Sequence, residues 1–207
     1  MTNKIKQLED KLNGTFNILL EMEKMKQSII QISDTKAKYY ENTISKSQFF
    51  NLTNKIFTKM FVIDLIKLTY KSRNNHYNFP DILDFCKNNL DEIEFKHLIS
   101  IDDLLEMERL LEIPNEIHDS IKRLRNKHYA HIDDDRFNFE INLKQEDLWE
   151  LLENYKKVFI FLCSNFNNNY WIFDLQFCGV HELRKSGQYD LLKEIIMDSN
   201  NNKEEHI

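Results

Sequence analysis

Apolar residues at Ile5, Leu8, Leu12, Phe16, Leu19, Met22 (or Met25) and Ile29 recur at steps of three and four. That is the period of a helix with one buried face, and it predicts a helix over 3–33. Gly14 should weaken or bend it, because glycine loses more backbone freedom on ordering than any other residue. Phe49, Leu52, Ile56, Met60, Ile63, Ile66 and Tyr70 trace a second stripe over 45–71, widened by Phe57, Phe61, Leu65 and Leu68. A stripe this wide predicts contact on two sides, within a bundle or across a dimer. After a polar loop, Pro80 suits the first turn of a short helix ending near residue 90. Ser100 is a natural N-cap for a helix over 101–113, with acids in its first turn. Pro114 ends that helix or kinks it into the next, over 115–131, with Asn115 as cap. Residues 132–144 read as irregular, and 145–166 as a long helix with acids at its start. The stretch NNNYWIFDLQFCGVHEL has aromatic alternation and one glycine, which fits an extended segment or a short hairpin. A last short helix is expected over 188–198, then a tail over 199–207 without ordered structure.

Composition strengthens the all-α reading. Only 3 Gly and 2 Pro occur in 207 residues, too few for the tight turns of sandwiches, barrels or alternating α/β folds. The expected organisation is a helical bundle over 1–166, an appendage packed on it over 167–198, and the tail. The formal net charge of −6 argues against a protein that coats nucleic acid nonspecifically. It leaves room for a small basic cleft on an acidic body. Cys86, Cys163 and Cys178 are odd in number, far apart and without a Cys-x-x-Cys pair, which predicts neither a disulfide framework nor a zinc site. The first residues carry acids and no apolar core, so no signal peptide is expected. The most apolar run, FVIDLIKL, is short and interrupted by Asp64 and Lys67, so no membrane span is expected. A cytoplasmic protein is the simple expectation.

The candidate chemistry lies in RLRNKHYAHIDDD, residues 123–135. Ile117, Ile121, Leu124, His128 and His131 step by four, three, four and three, so both histidines continue the inward line of the helix. Arg125 borders that line, and Lys122, Asn126 and Tyr129 lie further around. Lys122, Arg123, Arg125 and Lys127 form a cationic run without an acid among them, although the preceding helix carries Asp102, Asp103, Glu106, Glu108 and Glu112. Four cations suffice to hold a few phosphates of an RNA strand. Two readings stand side by side at this point. In one, basic residues in a last helical turn complement the dipole, the histidines are hydrogen-bonded core residues, and Asp133–Asp135 form a solvated loop. In the other, arginine and histidine act together on one phosphate.

RNKHYAHID resembles the signature of the HEPN superfamily (higher eukaryotes and prokaryotes nucleotide-binding domains). The form Arg-Asn-Lys-x-x-Ala-His-x-Asp is similar to that of its abortive-infection branch, here Arg125, Asn126, Lys127, Ala130, His131 and Asp133. The resemblance extends through the order of helices over roughly 45–166. It implies an all-α, HEPN-like up-and-down bundle of four to five main helices with a small irregular C-terminal appendage. It also implies a homodimer in which two motif helices face each other across a two-fold axis and form a cleft for RNA. The implied activity is metal-independent endoribonuclease cleavage in a toxin or phage-defence setting, with no cofactor. An antitoxin or other neutralising protein is a possible partner. His131 then serves as acid or base near neutral pH, and Arg125 donates two aligned hydrogen bonds to the phosphate. Asn126 orients the histidine or the phosphate. Lys122, Arg123, Lys127 and His128 are expected to contact RNA. Tyr129 and Asp133 are supporting residues: Asp133 pairs with Arg125, holds His131 or caps the helix end. Ala130 is small enough to let helices approach closely. A non-catalytic HEPN-like scaffold for nucleotide, RNA or protein is the alternative. Asp64 is expected in an exposed pair with a lysine one turn away, and Trp149 and Trp171 in packing.

Overall fold

The apolar periods over residues 3–166 become six α-helices in the expected order. The computed structural model describes residues 3–34, 44–71, 75–93, 95, 97, 99–123 and 144–166. Among them are α1 (Asn3–Ser33), α2 (Gln48–Thr69), α3 (Phe79–Asn88), α4 (Ile101–Leu110), α5 (Asn115–Arg123) and α6 (Gln145–Phe166), with no strand. The all-α expectation therefore holds. The irregular segment 132–144 lies almost wholly outside the described residues, and the appendage over 167–198 and the tail wholly so.

Local chemistry sets the helix ends. Ser47 caps α2: its hydroxyl accepts from the Phe50 N–H at 3.4 Å and its carbonyl from Asn51 at 3.2 Å. The helix thus begins at Gln48, three residues later than the apolar pattern suggested. Asn78 caps α3, accepting from the Asp81 N–H at 2.8 Å while its amide donates to the Asp81 carboxylate and the Asn75 carbonyl. Pro80 occupies the first turn, where its missing N–H costs nothing. Ser100 caps α4 as expected and does so reciprocally. Its oxygen accepts from the Asp103 N–H at 3.2 Å, and the Asp103 carboxylate accepts from the Ser100 N–H at 2.8 Å. α4 stops at Leu110, short of residue 113, in a tight turn where Leu111 and Glu112 donate to the carbonyls of Glu108 and Arg109. Pro114 disfavours the helical conformation for the residue before it, so the last turn closes early.

The chain separates into two compact units, Met1–Glu23 with Lys59–Phe173, and Lys24–Thr58 with Asp174–Ile207. In the first, Leu8, Leu12, Leu19 and Met22 of α1 are buried, as the period predicted. So are Leu148, Leu151, Leu152, Tyr155, Val158, Phe159, Leu162 and Phe166 of α6. Phe16 stacks on Phe159 with centroids 5.9 Å apart, and Phe79 lies nearly parallel to Tyr155 at 5.2 Å. Trp149 meets Phe61 edge-on at 5.0 Å, the packing role expected of it; Trp171 lies outside the described residues. The Tyr155 hydroxyl sits 2.5 Å from Thr69 Oγ1. Since Thr69 already donates to the Leu65 carbonyl, tyrosine is the donor. Within this core, Lys156 bridges Glu23 at 3.0 Å and Glu153 at 2.9 Å.

Gly14 does not interrupt α1. The glycine faces the ring of Tyr77, and a Cβ there would lie 2.7 Å from the ring Cγ and closer to two further ring carbons. Neighbouring Thr15 shares its hydroxyl between the carbonyls of Lys11 and Tyr77, at 2.9 and 2.8 Å. Glycine is thus a space requirement, set by an aromatic residue far along the chain.

In the second unit Met25, Ile29, Ile32 and Ile44 are buried, and the Asn54 amide donates to Ser33 Oγ at 3.4 Å. The apolar stripe of α2, wide enough to predict contact on two sides, divides. Phe61, Val62, Leu65, Ile66 and Leu68 are buried, but Phe49, Leu52, Ile56 and Met60 are exposed. Asp64 pairs with Lys67 at 2.7 Å, but the carboxylate is mostly buried, so the exposed pair expected for it is corrected. It shares the inward side of the helix with Phe61, Leu65 and Leu68. No helix among the described residues is long and apolar enough to cross a membrane.

Candidate functional site

The elements before the motif form a tied frame. Lys71, just past the end of α2, pairs with Asp84 of α3. Lys87, one turn further along α3, reaches Asp84 at 3.1 Å and Glu108 of α4 at 2.6 Å. The hydrogen bond from Lys71, joined by Lys87, holds the Asp84 carboxyl below the usual carboxylate range. Bonding to Glu108 and Asp84 raises the Lys87 ammonium, and bonding to Asp84 raises Lys71, each against the opposing effect of burial. Three successive elements are therefore joined by alternating charges.

α5 follows. The Pro114 carbonyl accepts the first helical bond, from the His118 N–H at 2.9 Å, so Pro114 holds the cap position expected for Asn115. Asn115 becomes the first helical residue. Ile121 is buried and Ile117 half-buried, which fixes the inward side of α5 on the line read from the sequence. His118 joins that side. Its ring stands edge-on to Tyr70, beyond the end of α2, with centroids 5.1 Å apart, and its Nδ1 lies 3.4 Å from the Asp119 carboxylate. Lys122 and Arg123 are exposed in the last described turn.

Of the candidate site residues, Lys122 and Arg123 are thus placed on the surface of α5. Arg125, Asn126, Lys127, His128, Tyr129, His131 and Asp133 lie outside the described residues, as does Ala130. What the structure adds is the approach to them: which side of α5 faces inward, and the Tyr70–His118 contact that helps to set it. Sequence reading missed that contact. Tyr70 was legible as the last member of an apolar stripe, but nothing in the spacing links it to a histidine 48 positions away.

Among the described residues the thiols of Cys86 and Cys163 are buried, and burial pushes the Cys86 thiol up to about 12. Neither has the electropositive, accessible setting of a reactive thiol.

A family model, HEPN_AbiU2 (AbiU2), matches residues 5–188 of the chain. Comparison with curated proteins and with solved structures gives no match. The family match begins within α1, runs through all six helices and extends beyond α6.

Proposed function

The chain belongs to the AbiU2 family of HEPN proteins, and on that premise we propose that it is a metal-independent endoribonuclease of an abortive-infection or toxin system. It works in the cytoplasm as a homodimer, under the control of a neutralising protein. The observation that carries this reading is the coincidence of the family match with the Arg125-Asn126 and His131 set, placed directly after α5 in the sequence.

The chemistry follows from the residue types. Neutral His131 takes the proton of a ribose 2′-hydroxyl as its oxygen attacks the adjacent phosphorus. The P–O5′ bond breaks, the leaving oxygen takes a proton, and the products are a 2′,3′-cyclic phosphate and a 5′-hydroxyl. Arg125 donates two parallel hydrogen bonds to the non-bridging oxygens, where negative charge grows as the phosphorus becomes five-coordinate. Asn126 orients the phosphate or the imidazole. Lys122, Arg123, Lys127 and His128 hold flanking phosphates, and Tyr129 and Asp133 support the helix end. The nucleophile belongs to the substrate, and the two protein groups carry proton and charge.

The test is cleavage of end-labelled RNA in the presence of chelator. Cyclic phosphate ends, lost in Arg125→Ala and in His131→Ala with helical circular dichroism retained, are the expected result. Wild-type protein that binds RNA without cutting it would support the second reading, a non-catalytic scaffold. The net charge of −6, which weakens general affinity for RNA, favours that alternative.

A further inference from the structure

Within the first compact unit, α3 faces two ways. Asp84 and Lys87 reach the end of α2 and α4, while Phe85 meets α1. Two ammonium groups of α1 stand over the Phe85 ring: Lys4 Nζ lies 5.6 Å from its centroid and Lys11 Nζ 5.7 Å. Lys11 also donates to the His76 carbonyl at 3.2 Å, in the segment that leads into α3. The next residue is Tyr77, whose ring is 44 % exposed and lies against Gly14, one turn along α1 from Lys11. Lys11 therefore bonds to the residue before one aromatic ring and lies over another. Phe85 is half-buried, and His76 is exposed.

These two cations are unopposed. Among the described residues neither Lys4 nor Lys11 has a carboxylate within ion-pair distance. The helix itself arranges this. Lys4 and Lys11 fall about 20° from each other around α1, and Glu9 and Asp10 lie at least about 100° from both. The nearby acids of α3 are engaged elsewhere: Asp84 with Lys71 and Lys87, Asp81 with the Asn78 amide. Attraction between an ammonium and a ring acts through the ring's quadrupole, so it leaves the N–H groups able to donate to an anion. A chain of net charge −6 thus presents, at one place on α1 and α3, two cations beside two aromatic rings.

Single-stranded nucleic acid matches that combination. Its phosphates take the ammonium groups, and its bases stack on aromatic faces whatever their sequence. An acidic peptide would use the lysines and leave both rings idle. We infer that the α1–α3 surface bearing Lys4, Lys11, Tyr77 and Phe85 is a second contact for single-stranded RNA, built from different residues than the cationic run that begins at Lys122. The surface rests on the proposed function for the choice of RNA as the strand, and it does not need the cleavage chemistry. A strand held there adds affinity that the acidic body otherwise withholds.

Binding of a short fluorescent 2′-O-methyl oligouridine, which has no 2′-hydroxyl to attack, tests the surface by anisotropy over a range of salt. Lys4→Gln combined with Lys11→Gln should lower the slope of log affinity against log salt by about 1.4, since each phosphate contact on a single strand contributes about 0.7. Phe85→Leu should weaken binding at least about fivefold with the slope unchanged, because it removes a stacking ring and no charge. Circular dichroism should match wild type in each, and Tyr77→Leu gives the same readout from the more exposed ring if Phe85→Leu unfolds. A wild-type protein that binds no strand, an unchanged slope in the lysine variant, or rings whose loss changes nothing overturns the surface. Cleavage of end-labelled RNA by the same wild-type preparation then leaves the ribonuclease reading standing without it. The expected losses in a protein that cuts no RNA uphold the surface and remove the ribonuclease reading. Poly-L-glutamate bound as tightly as the oligonucleotide, lost with the lysines and indifferent to both rings, would overturn RNA in favour of an acidic protein.

Discussion

Replacing Gly14 by alanine tests whether the glycine is there for space or merely tolerated. In an exposed helix interior the change gains about 1 kcal/mol, because alanine loses less backbone freedom. Here the new Cβ would overlap the Tyr77 ring. The Tyr77 backbone cannot retreat freely, since its carbonyl accepts from Thr15 and its N–H donates to the Asn75 side chain at 3.1 Å. The ring must therefore swing out. It is 44 % exposed, so a little over half of its surface is covered. Uncovering roughly 100 Å² at about 25 cal/mol per Å² costs about 2.5 kcal/mol. Set against the propensity gain, Gly14→Ala should destabilise by about 1.5 kcal/mol. In a Tyr77→Ala background the same substitution should stabilise by about 1 kcal/mol, because nothing blocks the new methyl. Urea unfolding of the four proteins, followed by circular dichroism, gives the coupling directly. A Gly14→Ala effect that is stabilising in both backgrounds, or additive within about 0.5 kcal/mol, would refute the argument.

Two further outcomes follow from the ion pairs. Lys156 and Glu23 have side chains only 14 and 10 % exposed, so Lys156→Met removes the ammonium facing a largely desolvated carboxylate and should cost about 3 kcal/mol. Adding Glu23→Leu should restore most of it, and a single-mutant loss below about 1 kcal/mol in urea unfolding would contradict this. Asp84 has its folded-state carboxyl depressed by Lys71 and Lys87, so its contribution is present above the ordinary carboxylate pKa and disappears as pH falls through the folded value. Because that carboxylate is 39 % exposed, Asp84→Asn should cost under about 1 kcal/mol at neutral pH and nothing in strong acid. An unchanged mutant-to-wild-type difference in unfolding midpoint at both pH values would refute it.

Much of the helix order was legible because it depends on local period and on side chains three residues apart. Ser100 and Asp103, or Pro80 in a first turn, announce themselves within a few positions. What covers a face is not local. The stripe from Phe49 to Tyr70 read as contact on two sides, but its spacing did not say that Phe49, Leu52, Ile56 and Met60 would be exposed while Ile66 is buried. Hydrophobic period gives a side of a helix and does not name its neighbour. The ammonium that reaches Glu23 comes from 133 residues away, and the ring that claims the space beside Gly14 from 63. For the candidate site, spacing placed Ile117 and Ile121 inward correctly. It gave no hint that Tyr70 would stand against His118. Arg125 and His131 were legible only as members of a stretch that resembles the HEPN signature, and both lie outside the described residues.

The bridge between Glu23 and Lys156 also has a consequence for how the protein is made. α1 leaves the ribosome before α6, yet Phe16 and Glu23 meet partners on α6, the last described helix. At about 5–20 residues per second, the 133 residues between Glu23 and Lys156 take roughly 7–27 s to synthesise. During that interval the apolar row from Leu8 to Met22 lacks its α6 neighbours. Nascent chains thus pass through a dated window of exposure, closed only when α6 emerges. A helper that binds apolar helices would find this protein while it is still being translated.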